Sequence, residues 1–154
     1  PYTTLFRSVC NTKRRIEVIE AMRARNIPVV VWLSPILPFI NDTEENIGKI
    51  LDECARLHVH GIMNFGMGLT LRDGDREYFY AALDKHFPGL KRRYINTYGN
   101  AYELPSPDND KLMKLFMNVC GRNDILCTPD ECFGYLHELP DKYEQMSLFD
   151  TAGE

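Results

Sequence analysis

The sequence predicts an α/β fold built on a βαβ unit, and three segments carry that prediction. Within Ile27–Asp42, the run Val29-Val30-Val31-Trp32-Leu33 is continuously apolar and rich in β-branched residues, as expected of a parallel strand covered on both faces. Thr43–Leu57 then places Ile47, Ile50, Leu51 and Cys54 at i, i+3, i+4 and i+7, the period of an amphipathic helix. His58-Val59-His60-Gly61 opens a second short apolar run, Ile62–Phe65. A strand, a crossover of helix length and another strand make a βαβ unit, whose expected hand is right.

Taken in order, the chain begins with Pro1–Ser8, PYTTLFRS, which match the translated end of a common sequencing adapter. They are set aside from fold reasoning, and the chain is expected to be the C-terminal part of a longer protein. Asn11 or Thr12 caps a helix reaching about Arg25, with Ile16, Ile19 and Met22 on one face. The Asn26-Ile27-Pro28 turn feeds the central strand. Pro35 and Pro38 stop that strand, because proline donates no ladder hydrogen bond and pushes the residue before it toward extended geometry. Ser34–Ile40 is therefore a stiff loop at the strand's carboxyl end. Asp42 and Glu45 are spaced as a capping box for the next helix.

After the second strand, Gly66–Gly74 reads as a glycine-spaced loop whose spacing matches neither phosphate-binding pattern. Asp75–Phe87 is a helix stopped by Pro88-Gly89. Leu90–Tyr98 mixes Lys91, Arg92 and Arg93 with Tyr94 and Tyr98, which suits either a grip on a nucleic-acid backbone or a solvated helix face with its aromatics packed inward. Ser106 as cap and Pro107 at the first position start a helix through Val119, with Leu112, Leu115, Phe116 and Val119 inward. A short apolar piece, Ile125–Cys127, precedes a last helix, Pro129–Leu139. Asp141–Gln145 is a polar linker into the tail Met146–Glu154. The chain thus divides into βα units over 9–104, a helical segment over 105–140 and a tail over 141–154.

Composition narrows the functional classes. The net charge of −4 supplies no basic excess for nucleic acid, although a local basic patch on an acidic body is compatible with it. No apolar run reaches the length of a membrane span and no signal peptide is evident, so no membrane partner and a cytoplasmic location are expected. Five cysteines, an odd number without a compact framework, fit a reducing compartment.

Ligands of parallel α/β sheets sit outside the carboxyl ends of strands, which directs attention to the loops after Leu33 and Phe65. Cys120, Cys127, Cys132 and His137 stand at spacings C-x6-C-x4-C-x4-H, which match no usual metal module, so these thiols read as buried or incidental. His58 and His60 lie at the amino end of a strand and read as structural. The tail segment Gln145-Met146-Ser147-Leu148-Phe149 resembles the short peptide by which bacterial replication and repair proteins dock on the sliding clamp, with Gln145, Leu148 and Phe149 as its anchors. The other reading of Leu148 and Phe149 is that they pack on their own domain.

The segments VVWLSPILPFIND, GIMNFGMGLTLRDG and EYFYAALDKHFPGLKRRYINTYGNAY, together with the terminal QMSLF, resemble the C-terminal half of radical S-adenosylmethionine proteins of the spore photoproduct lyase-like group, also called DNA repair photolyase-like. The resemblance implies the C-terminal part of a partial (β/α)6 TIM-like barrel followed by helices, with 9–104 as its late βα units. It also implies S-adenosylmethionine and a [4Fe-4S] cluster as cofactors, and damaged nucleic acid as a possible substrate. In that group a C-x3-C-x2-C loop holds the cluster. This sequence has no such motif, so the cluster is expected in a missing N-terminal half of the same barrel, and this chain alone is expected to be inactive. By the same resemblance, Trp32, Ser34 and Pro35 form one wall of an adenosyl pocket and Asn64, Phe65 and Gly66 the other. Arg72, Tyr98 and Asn100 are the implied substrate contacts.

Overall fold

The computed structural model describes residues 11–137. Pro1–Ser8 and the docking candidates Gln145, Leu148 and Phe149 lie outside these described residues. The elements in order are α1 (Thr12–Arg23), β1 (Val30–Trp32), α2 (Glu44–Arg56), β2 (Gly61–Met63), β3 (Gly68–Thr70), α3 (Asp75–His86), α4 (Leu90–Tyr98), β4 (Glu103–Pro105), α5 (Asn109–Arg122) and α6 (Pro129–His137). The chain is mixed α/β, and the described residues form no barrel.

β1 and β2 pair in parallel, Val30 opposite Gly61, Val31 opposite Ile62 and Trp32 opposite Met63, with α2 between them in sequence. Leu126 adds a single parallel bridge on the far side of β2: Ile62 N–H donates to its carbonyl at 2.8 Å and its own N–H donates to His60 O at 3.1 Å. β2 is thus the inner strand, and Ile62 and Met63 are buried. The expectation that β1 is covered on both faces is corrected. Leu33 is buried, whereas Val30 and Trp32 are 40% and 59% exposed. Val31 and Leu33 pack with Ile62 against α2 and α5, and successive strand residues point to opposite faces, so Val30 and Trp32 are turned away from that core.

α2 is amphipathic as its period predicts, burying Ile47, Leu51 and Cys54. Its cap differs from the expected box. Thr43, not Asp42, accepts from Asn46 N–H, at 3.2 Å, while the buried Asp42 carboxylate accepts from Ser106 Oγ at 2.6 Å. Ser106 in turn does not begin α5 directly. Its hydroxyl accepts from Asp108 N–H at 3.1 Å, and the helix starts at Asn109 and runs on to Arg122. Leu112, Phe116 and Cys120 from α5 meet the buried face of α2 to form the main core.

A second, smaller core gathers Leu71, Leu83, Tyr94 and Leu104, with Phe39, Phe79 and Tyr98 packed around it. The segment read as a glycine-spaced loop contains strand β3, antiparallel to β4, with Leu69 opposite Leu104. Glycine is required at 68 because a Cβ there would lie 2.6 Å from the Leu104 carbonyl oxygen. In α4 the aromatics pack inward and the cations stay at the surface, the second of the two readings of that segment. Tyr94 is buried and donates to Pro38 O, Lys91 pairs with Asp84 at 2.6 Å, and the Arg93 guanidinium lies 3.9 Å from the Phe39 ring centroid. Among the described residues no helix is long and apolar enough to cross a membrane.

Candidate functional site

The carboxyl ends of β1 and β2 open into one cavity of about 510 Å³. Asn64 makes them a single site. Buried just past β2, it donates from Nδ2 to Leu33 O at 2.8 Å and accepts Gly66 N–H on Oδ1 at 2.8 Å, tying the exit of one strand to that of the other. Gly66 takes a positive φ of 109° at this turn, a conformation that glycine adopts without a Cβ penalty. The far wall comes from α5 and β4. Asn109 Oδ1 accepts Met67 N–H at 2.9 Å, and Ser106 N–H donates to Met67 O at 2.6 Å.

Ser34, Pro35, Phe65 and Gly66 line this cavity together with Leu69, Thr70, Glu103, Leu104 and Asn109. The walls are more apolar than polar, and Glu103 is the one ionisable side chain among the lining residues. The lining presents a few hydroxyl, amide and backbone groups to the cavity and no acid–base pair. Trp32 does not line it. Its ring contacts Phe65 at 5.3 Å between centroids, tilted by 50°, and both rings are largely exposed. Trp32 faces instead a smaller apolar cavity of about 280 Å³, bounded by Pro28, Val30, His60, Met63, Cys132 and Phe133.

None of the three implied substrate contacts lines the main cavity. Arg72 sits at the open end of the β3–β4 pair, bonded to the Tyr102 phenol, whose pKa that cation lowers. Tyr98 donates to Pro105 O at 2.6 Å and stacks among Phe39 and Tyr94, and burial raises its pKa. The Asn100 carbonyl accepts from Arg76, whose guanidinium also reaches Ala101 O at 2.6 Å. Sequence reasoning passed over Arg76, which knots this turn, and Glu103 and Asn109, which reach the cavity from a distant segment. No local motif marks any of them.

Cys54, Cys120, Cys127 and Cys132 are free thiols. Burial pushes Cys54 up to about 11 and Cys120 up to about 12, and it raises Cys127 and Cys132 as well. Among the described residues no group of three or more His, Cys, Asp or Glu side chains is placed to hold a metal ion.

Fold and site together define a mixed α/β chain with a ligand-sized cavity at the carboxyl ends of a parallel strand pair. The chain is similar to uncharacterized protein Rv2578c of Mycobacterium tuberculosis and to uncharacterized protein Mb2609c of Mycobacterium bovis, 32% identical to each over 91 residues. The match takes in 59% of this chain and 26% of each relative, so the chain spans about a quarter of the length of the curated relatives it matches. No protein-family profile and no solved structure matches it.

Proposed function

We propose that this chain is the late part of a radical S-adenosylmethionine enzyme of the spore photoproduct lyase-like group, with damaged nucleic acid as its substrate class. In this reading the rest of a partial (β/α)6 barrel, including the [4Fe-4S] cluster, belongs to polypeptide outside the chain. One observation carries the proposal: Asn64 joins the exits of two adjacent parallel strands into one cavity, the place where parallel α/β enzymes hold their ligands. Four of the six implied cofactor contacts, Ser34, Pro35, Phe65 and Gly66, line that cavity, and Asn64 positions them.

No C-x3-C-x2-C spacing occurs in this sequence, so its cysteines do not fit the cluster loop of that group. A cavity of about 510 Å³ has room for an adenosyl group, which supports this reading. Phe65 offers a ring face, Pro35 a rigid apolar wall, and Ser34 and Thr70 hydroxyls for a ribose or amino acid edge. S-adenosylmethionine and the cluster together supply one-electron chemistry when bound. This chain's own share is to bind, orient and keep water from the adenosyl end.

Titration of the chain with S-adenosylhomocysteine, followed by amide chemical shifts, tests the binding. Shifts concentrated at Ser34 and at 64–66 are expected. Phe65→Ala should weaken binding up to about tenfold, the equivalent of one lost aromatic contact. Absence of any shift at millimolar ligand would contradict the assignment.

A further inference from the structure

The cavity at the carboxyl ends of β1 and β2 is lined by one ionisable side chain, Glu103, and by no cation. The β3–β4 pair positions it. Leu69 stands opposite Leu104 and both belong to the second core, where Leu104 is fully buried. Side chains alternate between the two faces of a strand, so the register pairs on either side, Thr70 with Glu103 and Gly68 with Pro105, take the opposite face, and all four residues line the cavity. An apolar anchor on one side of β4 thus fixes which way the carboxylate on the other side turns.

That carboxylate is left without a partner. Among the described residues Glu103 makes no ion pair and no side-chain hydrogen bond. Arg72, at the end of the same strand pair, is bonded to the Tyr102 phenol instead. A lone carboxylate in a concave and largely apolar cavity gives it a negative field, which draws a cation and repels an anion. Glu103 is also exposed, so the size of the effect is that of a solvent-screened ion pair.

We infer that Glu103 sets the charge selectivity of this cavity, favouring an adenosyl ligand that carries a positive charge and disfavouring one that carries a phosphate. The inference rests on the adenosyl reading of the cavity. It adds the residue that separates a sulfonium ligand from its neutral thioether and from a nucleotide.

Three probes test it: S-adenosylmethionine, whose sulfonium gives it a net positive charge; S-adenosylhomocysteine, the thioether without that charge; and adenosine monophosphate. Each is titrated into the chain and into Glu103→Gln, with amide chemical shifts at Ser34, at 64–66 and at Glu103 as the readout. The chain should bind the sulfonium about fivefold more tightly than the thioether, the scale of one exposed ion pair, and the monophosphate most weakly. In Glu103→Gln the thioether should keep its affinity, the sulfonium should fall to the same level, and the monophosphate should bind more tightly than before. Raising the salt to about 0.5 M should narrow the preference of the unsubstituted chain in the same way, a measurement that needs no variant. Equal affinities for sulfonium and thioether, a preference that survives in Glu103→Gln, or one that salt leaves untouched overturns the role of Glu103 while binding of the adenosyl group stands. Absence of shifts with all three ligands overturns the adenosyl reading itself, and this inference with it.

Discussion

The two faces of the β1–β2 pair are made by the same few residues and have opposite fates. Val31, Leu33 and Ile62 turn to one side, where α2 and α5 close over them with Ile47, Leu51, Leu112 and Phe116 buried. Val30 and Trp32 turn to the other, where Cys132 and Phe133 of α6 border the smaller cavity and Cys132 is seated where a Cβ on Gly61 would need to be. Stability is therefore concentrated on one side of a three-residue strand, while Val30 and Trp32 on the other side stay exposed.

The contrast is sharpened first by the largest expected effect. Phe116→Ala opens a cavity beneath the sheet and should cost about 3–5 kcal/mol in denaturant unfolding. Trp32→Ala should change stability by no more than about 0.5 kcal/mol, because it removes an exposed ring. Equal costs for the two would erase the distinction between the faces.

Smaller effects probe what holds the second core and the cavity wall in place. Gly68→Ala drives a Cβ to 2.6 Å from Leu104 O and 2.8 Å from Pro105 Cα, both backbone atoms, so β3 and β4 must part at about 1–3 kcal/mol. Ser106→Ala leaves the buried Asp42 carboxylate without its hydroxyl donor and should cost about 1–3 kcal/mol. Its midpoint shift in urea, at unchanged slope, gives the measurement.

The buried thiols add a pH dependence. Cys54 and Cys120 hold their protons to about 11 and 12 in the folded chain, whereas an unfolded thiol releases its proton near 9. The folded state then binds more protons than the unfolded one, so stability is full below about pH 9 and falls as pH rises through the folded values. Urea midpoints measured between pH 8 and 11 should decline, and less steeply in Cys120→Ala.

The features that the sequence made legible are those with a local cause. The period of Ile47, Leu51 and Cys54 showed the buried face of α2, and the prolines after Leu33 showed where β1 ends and where a cavity would open. The place of Ser34, Pro35, Phe65 and Gly66 at the strand exits followed from the carboxyl-end rule, whereas their role as cofactor contacts rests on the resemblance. An unbroken apolar run such as 29–33 holds no polar alternation to show which face stays open, so the exposure of Trp32 was not readable. β3 and β4 are three residues each, too short for a period-2 signal. The Asp42–Ser106 bond joins positions 64 apart, and that distant partner left the cap of α2 to Thr43. Glu103 and Asn109 reach the cavity through the same long-range packing.

The central claim, that this cavity belongs to a radical S-adenosylmethionine enzyme, is tested most directly by sequencing the source gene upstream of the Val9 codon. The account predicts one open frame running through Val9 and encoding C-x3-C-x2-C. A frame that begins at the first codons of this chain, or a long continuous frame without that motif, would contradict it.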